Sequence, residues 1–267
     1  LVAKVQADGD PSYVLLVEHD PPVITLGRRA EMQHVLADPE HLAAAGVEIV
    51  EVSRGGDVTW HGPGQLVAYP ILRLDTRRLT LRAYVQCLEQ AVINALVRLG
   101  IAAQRRDGLV GVWVGQEKIA AIGVAVSRWV TYHGLSLNVS ADLGGFDKIV
   151  PCGIANASVT SISRLLGRDV SVGEVKPVLI EHLAESLGFD RIREDCGLVR
   201  RSLGEAGLRI ADLSGVASAK PDCGFPLDGR EVRNEVEGRI ADSSGAAGCR
   251  GLRSPEGTEQ PRLAGRH

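Results

Sequence analysis

The sequence predicts an α+β domain in which strands outnumber helices and the helices pack on a sheet. Six runs rich in Val, Ile, Leu and Tyr, each bounded by Gly, Pro or Asp, predict the strands. These runs are residues 13–18, 46–52, 65–74, 109–114, 118–126 and 130–139. The last three runs follow one another directly, with a turn at Gly115 and Gln116. We therefore expect antiparallel neighbours here rather than strand–helix–strand crossovers.

Two helices have clear boundary signals. Thr80 is suited to cap the first, which Gly100 ends, and Ser171 with Glu174 forms a capping box at the start of the second, which Gly188 ends. Apolar residues recur at helical spacing along both segments, at Leu81, Val85, Leu88, Val92, Leu96 and Leu99 and at Val175, Val178, Leu179, Leu183 and Leu187. Each helix therefore presents an apolar face to the rest of the domain.

The chain has 267 residues, which suffices for a substantial core without disulfide or metal crosslinks. Its composition changes after residue 195, where Gly and Arg become frequent and Phe225 is the one aromatic residue. We therefore predict a single domain over residues 1–195, followed by a Gly- and Arg-rich, disordered tail over residues 196–267. A small appended helical segment is the alternative for the tail.

The composition argues against several classes of function. Thirty basic and 33 acidic residues leave a net charge of -3, which gives no bulk electrostatic support for binding nucleic acid or anionic lipid. No apolar run approaches the roughly 20 residues that a membrane helix needs. The N-terminal residues lack the basic and apolar regions of a signal peptide. We expect a cytoplasmic protein whose partners include neither nucleic acid nor membrane.

The cysteines do not predict a metal site. No two of them have the close spacing of a zinc site, and no His pair lies beside them at helical spacing. They are Cys87, Cys152, Cys196, Cys223 and Cys249. The chain also lacks the GxxxxGK[ST] and GxGxxG phosphate-binding patterns. We therefore expect neither a metal nor a cofactor.

The stretch RGGDVTWHGPGQ, residues 54–65, predicts a binding loop. Four glycines, a proline, a histidine and an arginine within twelve residues are not typical of core packing. Glycine lets the main chain approach a ligand closely and present its N–H groups. The alternative is a tight irregular connection that binds nothing.

Two further segments contain candidate reactive groups. Lys118 begins a run of small and apolar residues, and Cys152 lies between Pro151 and Gly153, which favour a sharp turn. The ordinary alternatives are a lysine that extends to solvent and a cysteine that packs as a small apolar side chain.

A thiol, an amine and a glycine-rich pocket together indicate acyl transfer through a thioester. An amine can accept the proton of a thiol only in its neutral form, which burial among apolar residues favours. The competing arrangement is a Cys–His pair that uses His61 or His133.

Several separated motifs make the sequence resemble the octanoyltransferases of lipoate biosynthesis. The resemblance runs from about residue 14 to residue 187. Its motifs are RGGDVTWHGPGQLVAYP at 54–70, KIAAIGVAV at 118–126, HGLSLNV at 133–139, IVPCGI at 149–154, VTSIS at 159–163 and the weaker TLGRRA at 25–30. It implies an α+β fold built around a mixed sheet, like the catalytic domain of biotin and lipoate protein ligases. Members of the family have a further strand and helix before the position of Leu1, which implies a truncated N-terminus.

The resemblance also implies residue roles. Cys152 matches the nucleophile that accepts the acyl group, and Lys118 matches the lysine that deprotonates it. Residues matching the acyl pocket are Arg54, Gly55, Gly56, Asp57, Val58, Thr59, Trp60, His61, Ala121, Ile122, Gly123, Gly134, Leu135 and Ser136.

The implied reaction is the first step of endogenous protein lipoylation. An octanoyl group passes from octanoyl-acyl carrier protein to Cys152 and then to a lysine ε-amine on lipoyl domains, those of 2-oxoacid dehydrogenases and of the glycine cleavage H protein. Three alternatives remain at this stage: an ATP-dependent lipoate-protein ligase on the same fold, a non-catalytic acyl sensor, and a thiol hydrolase.

Overall fold

Eleven strands and five α-helices make up the part of the chain that this computed structural model describes, which is residues 1–8, 12–151, 158–190, 192–195 and 209–213. The strands are β1 Ser12–Val17, β2 Val23–Leu26, β3 Glu48–Glu51, β4 Val58–His61, β5 Gln65–Ile71, β6 Gln104–Arg106, β7 Leu109–Val114, β8 Glu117–Ser127, β9 Val130–Asn138, β10 Arg193–Asp195 and β11 Arg209–Leu213. The helices are α1 Val2–Asp8, α2 Pro39–Ala44, α3 Leu81–Arg98, α4 Ile162–Leu166 and α5 Val172–Leu187. The α+β prediction is confirmed.

The strands form two sheets. The larger has the order β10-β11-β1-β5-β9-β8-β7-β6, and all of its neighbouring strands run antiparallel. The smaller has the order β3-β2-β4, in which β2 and β3 are parallel and β2 and β4 antiparallel. The predicted meander of β7, β8 and β9 is present, with its first turn at Gly115. Mixed pairing occurs in the smaller sheet.

Both predicted helix starts are confirmed by their hydrogen bonds. The Thr80 hydroxyl accepts from the N–H of Ala83 at 3.1 Å and caps α3. The Ser171 hydroxyl accepts from the N–H of Glu174 at 3.2 Å, and the Glu174 carboxylate accepts from the N–H of Ser171 at 2.9 Å, which completes the capping box of α5. Buried side chains of both helices belong to the apolar core that also includes residues of β5, β8 and β9.

The sequence did not predict β6, β10 and β11 of the larger sheet, nor two strands of the smaller sheet, β2 and β4. Residues 58–61 form β4 within the segment that the sequence marks as a binding loop, and β4 pairs with β2 so that Ile24 lies opposite Trp60. Each of these strands has only four residues, too few for a clear alternation of apolar and polar positions. A second apolar core, containing Ile24, Trp60, Phe146 and Ile149, packs against this sheet.

The predicted tail, residues 196–267, lies outside the described residues except for β11. This strand pairs antiparallel with β1, with Leu15 opposite Ile210. β11 therefore extends the larger sheet beyond β1.

None of the helices in the described ranges is long and apolar enough to cross a membrane.

The capping box of α5 makes a measurable contribution to stability. We expect Ser171→Ala to lower the free energy of unfolding by about 1 kcal/mol, because the N–H of Glu174 loses its acceptor. Urea unfolding measures the change, with Ser127→Ala, at an exposed serine, as the control. Equal unfolding midpoints for Ser171→Ala and the control would contradict the assigned cap.

Candidate functional site

A cavity of about 320 Å³ is lined by residues of both sheets. Its walls come from β2, β3 and β4 of the smaller sheet, from β5, β8 and β9 of the larger sheet, and from the loop that precedes β4. Many of the lining side chains are apolar: Pro21, Pro22, Val23, Val50, Val52, Val58, Val67, Ala121, Ile122 and Leu135. The cavity is at the small end of the range for small-molecule sites, and its walls suit an apolar ligand.

Two glycines let the main chain approach closely at the cavity wall. Gly123 on β8 lies opposite Gly134 on β9. A Cβ at Gly123 would lie 2.9 Å from the carbonyl oxygen of Gly55, and one at Gly134 would lie 2.1 Å from the carbonyl oxygen of Ala68. Both contacts are with main-chain atoms, so a side chain at either position would force the backbone apart.

Arg54 connects the glycine-rich loop to the smaller sheet. The residue is 8% exposed, and its Nη2 donates to the carbonyl oxygen of Thr25 at 2.7 Å and to Thr25 Oγ1 at 2.8 Å. Nε donates to the same hydroxyl at 3.2 Å. The guanidinium thus brings a positive charge to the cavity wall and directs several N–H groups toward one residue of β2.

His61 is held by a chain of side-chain hydrogen bonds whose direction can be deduced. The carbonyl oxygen of Thr160 can only accept, so the group 3.0 Å from it is Nδ2 of Asn138, and Asn138 Oδ1 then accepts from Gln65 Nε2 at 2.9 Å. Gln65 Oε1 therefore faces His61 Nδ1, at 2.6 Å, and that nitrogen bears the proton. His61 Nε2 is left as the acceptor, 3.4 Å from Thr25 Oγ1.

The fold disfavours protonation of the cavity histidines. Burial lowers the pKa of His61 to about 3, repulsion from His19, Arg54 and His133 contributes in the same direction, and the Gln65 bond opposes it. Burial lowers the pKa of His19, whose ring stacks on His61 with centroids 5.3 Å apart. Burial, followed by the charges of Arg54 and Arg28, lowers the pKa of His133. A neutral His61 agrees with the tautomer that its partners impose.

Lys118 is buried at the start of β8, with 5% of the residue exposed. Its Nζ lies 5.0 Å from the centre of the Trp113 ring, a cation–π distance. Its main chain forms a parallel bridge with Val159. The N–H of Lys118 donates to the carbonyl oxygen of Ser158 at 2.9 Å, and the N–H of Thr160 donates to the carbonyl oxygen of Lys118 at 3.0 Å.

The predicted nucleophile, Cys152, lies outside the described residues. The chain before it is attached to the segment between β2 and α2, because the N–H of Val150 donates to the carbonyl oxygen of His34 at 2.7 Å. The imidazole of His34 is 2.6 Å from the carboxylate of Asp57, which lines the cavity. The chain after Cys152 is bound to Lys118. On one side of residues 152–157, Val150 is therefore attached through His34 to Asp57. On the other side, Ser158 and Thr160 are attached to Lys118.

The structure gathers almost all of the predicted pocket residues around this cavity. Every predicted substrate-binding residue except Trp60 lines it. Trp60 belongs instead to the second apolar core, where its ring is 5.5 Å from that of Phe146. Lys118 is also not among the lining residues of the cavity, although it shares β8 with Ala121, Ile122 and Gly123.

Several residues of the site were not identified from the sequence. His19, Thr25 and Tyr69 line the cavity, and Gln65 and Asn138 hold His61 and Thr160. Gln65 and Asn138 lie within motifs already noted, HGPGQ and HGLSLNV, which was the one available signal. Among the described residues, no group of three or more His, Cys, Asp or Glu is arranged to hold a metal ion.

Comparison with known proteins agrees with the arrangement of motifs around this cavity. Residues 1–184 match the family model of the lipoyl protein ligase A/B catalytic domain. An octanoyltransferase from Syntrophobacter fumaroxidans is 51% identical over 183 residues, which cover 68% of this chain and 80% of the relative. The chain belongs to the octanoyltransferase family. It is therefore an acyltransferase. An octanoyltransferase from Chloroflexus aurantiacus is 52% identical over 180 residues, 66% of this chain and 80% of the relative.

Solved structures show the same fold. A crystal structure of lipoate-protein ligase A bound with ATP is similar with a TM-score of 0.59 at 19% identity, over 68% of this chain and 76% of that chain. A bipartite lipoate protein ligase from Thermoplasma acidophilum, studied with its E2 lipoyl domain, also gives a TM-score of 0.59, at 22% identity, over 70% of this chain and 75% of that chain. The chain thus shares its catalytic-domain fold with lipoate ligases.

The low pKa of His61 makes the stability of this octanoyltransferase depend on pH. The unfolded chain protonates this histidine near 6.5 and the folded chain only near 3, so unfolding takes up a proton between these values. The free energy of unfolding therefore falls as the pH falls from 6.5 toward 3, with up to about 1.4 kcal/mol per pH unit from this group.

We expect His61→Gln to reduce this slope in urea unfolding series measured at several pH values. The exposed His41 provides the matched control, and His41→Gln should keep the slope of the unsubstituted protein. A slope that His61→Gln leaves unchanged would show that His61 is not held neutral by the fold.

Proposed function

We propose that this enzyme transfers an octanoyl group from octanoyl-acyl carrier protein, through a thioester on Cys152, to the ε-amine of a lysine on lipoyl domains. The observation that carries the proposal is the position of Lys118. Its side chain is buried, and its main chain binds Ser158 and Thr160, which follow Cys152 closely in the sequence. A shared strand joins this lysine to the cavity wall at Ala121, Ile122 and Gly123.

The first half-reaction forms the thioester. The amine of Lys118 takes the proton of the Cys152 thiol, and the thiolate attacks the octanoyl carbonyl carbon. A carbon–sulfur bond to Cys152 forms while the carbon–sulfur bond to the carrier breaks. The leaving thiolate of the carrier takes the proton from the Lys118 ammonium. No electrons are exchanged with a cofactor, and no proton is gained or lost overall.

The second half-reaction forms the amide. A neutral lysine ε-amine of the lipoyl domain attacks the thioester carbonyl, a carbon–nitrogen bond forms, and the carbon–sulfur bond to Cys152 breaks. The proton lost by the attacking nitrogen passes through Lys118 to the Cys152 sulfur. Conversion of a thioester to an amide is downhill, so this route needs no ATP. We propose lipoyl domains of 2-oxoacid dehydrogenases and the glycine cleavage H protein as acceptors.

The cavity supports an acyl substrate of this length. An octanoyl chain buries about seven methylene or methyl groups at roughly 0.8 kcal/mol each, which gives on the order of 5 kcal/mol before the cost of ordering the chain. Apolar side chains and the glycines at 123 and 134 line the space where the chain would lie. The size and lining of the cavity are therefore suited to a medium-length acyl group.

The state of His61 favours Lys118 over this histidine as the base. Nδ1 of His61 is protonated and committed to Gln65, and the low pKa of about 3 leaves Nε2 a weak base at neutral pH. A thiol hydrolase that relies on a Cys152–His61 pair is therefore a poorer candidate. His133 also has a lowered pKa, because it is partly buried near Arg54 and Arg28.

The proposed intermediate can be detected by intact mass. We expect an octanoyl adduct after incubation with octanoyl-acyl carrier protein in the absence of ATP, and we expect a lipoyl domain to discharge it. Cys152→Ser should form no adduct, because a hydroxyl is a much weaker nucleophile than a thiolate. The matched control, Cys223→Ser, should form the adduct at the unsubstituted rate. No adduct on the unsubstituted chain, together with ATP-dependent modification of the lipoyl domain, would indicate a lipoate ligase instead.

The role of Lys118 can be tested with a substitution that keeps its apolar stem. We expect Lys118→Met to slow adduct formation by about 100-fold or more, the usual effect of removing a positioned base. The protein should remain folded, because methionine can pack against Trp113 in place of the lysine stem. Lys176→Met, on α5, is the control and should react at the unsubstituted rate. An unchanged rate for Lys118→Met would remove the lysine from the mechanism.

A further inference from the structure

A pair of buried amide side chains connects the cavity to the segment that lies beside Lys118. Gln65 begins β5 and Asn138 ends β9, and the two residues face each other in the antiparallel register. They are 1% and 4% exposed. Gln65 Nε2 donates to Asn138 Oδ1 at 2.9 Å, so the pair is joined through its side chains as well as by the sheet.

Each amide has a further bond that leaves the sheet. Gln65 Oε1 accepts from His61 on β4, in the smaller sheet, and Asn138 Nδ2 donates to the carbonyl oxygen of Thr160 at 3.0 Å. The N–H of Thr160 in turn donates to the carbonyl oxygen of Lys118. The pair therefore connects three elements: β4 at the cavity, the larger sheet, and the segment 158–160.

The larger sheet does not need polar groups at this place in order to form. A buried amide costs about 1–3 kcal/mol for each polar group left without a partner, whereas two apolar side chains of similar shape can replace a bonded pair at little cost. Along this series of hydrogen bonds each side chain donates to the next, from His61 to the carbonyl oxygen of Thr160. Replacing one donor group by an acceptor therefore interrupts the series. Buried polar groups that are fully satisfied in this way fix one arrangement of the elements they join.

We propose that Gln65 and Asn138 are positioning residues for acyl transfer, which hold the segment 158–160 and the adjoining Lys118 in register with the acyl cavity. This inference rests on the proposed function, because the chain that Asn138 holds is the one that follows Cys152. Neither amide takes a proton or touches the reacting atoms. Their effect is on the placement of the base relative to the acyl group, and a misplacement of about 1 Å is enough to slow an enzyme by about 100-fold.

The test uses Asn138→Asp, which has nearly the same shape. The carboxylate still accepts from Gln65, but it cannot donate to the carbonyl oxygen of Thr160. We expect the rate constant of octanoyl adduct formation to fall by about tenfold or more, while the donor concentration that gives half the maximal rate changes less than about twofold, since no cavity-lining side chain is altered. Protonation of the new carboxyl restores a donor, so the ratio of its rate to that of the unsubstituted protein should rise as the pH falls.

A second readout needs no acyl donor. Alkylation of Cys152 by iodoacetamide, followed by peptide mass, reports the reactivity of this thiol over a range of pH. We expect the profile of Asn138→Asp to shift to higher pH, toward that of Lys118→Met, because a displaced amine deprotonates the thiol less readily in the proposed mechanism. If the unsubstituted protein forms no octanoyl adduct, the proposed function fails, and the alkylation profiles still decide whether Asn138 positions the pair.

The chain offers a matched control. Gln90 and Asn94 on α3 form a second Gln–Asn side-chain bond, with Gln90 Nε2 donating to Asn94 Oδ1 at 2.7 Å. Asn94→Asp should leave both readouts unchanged. If Asn138→Asp loses its cooperative thermal transition, Asn138→Ala, which adds no charge, takes its place with the same expected loss of rate and shift of profile. A folded Asn138 variant with unsubstituted rate and alkylation profile would overturn the proposal.

Discussion

The close approach of the loop at Gly55 to strand β8 is the constraint on which the site depends. The N–H of Gly55 donates to the carbonyl oxygen of Val124 at 2.8 Å, and Gly123 leaves room for this contact because it has no Cβ. The same loop carries Arg54, whose guanidinium binds Thr25 on β2. One short segment thus joins the larger sheet to the smaller one, and the cavity is the space that the two sheets enclose around this junction.

The elements that the sequence predicted well are those whose signals are local. The meander of β7, β8 and β9 follows from apolar runs separated by tight turns, and α3 and α5 follow from their caps. The four-residue strand β4 was missed because its identity as a strand comes from pairing with β2, more than thirty residues away. β11 is a similar case, since its partner β1 lies at the other end of the chain. Such pairing is decided by packing that a local pattern does not contain.

The same distinction applies to the site. Glycine-rich and small-residue motifs indicated the walls of the cavity, because their unusual composition can be recognised from the local sequence alone. Trp60 was assigned to the cavity with its neighbours, but its ring packs in the second core, while Thr59 and His61 on the opposite face of β4 line the cavity. The roles of Gln65 and Asn138 were hidden for another reason, since their meaning depends on partners that only the folded chain brings within hydrogen-bond distance.

Arg54 and the neutral histidines act together on the charge of the cavity. A protonated imidazole at His61 would need water or a carboxylate beside it, and its surroundings offer burial and the guanidinium of Arg54 instead. The same guanidinium disfavours protonation of His133. Around neutral pH the guanidinium therefore supplies the positive charge among these neighbouring groups, because the lowered pKa values disfavour protonation of the imidazoles.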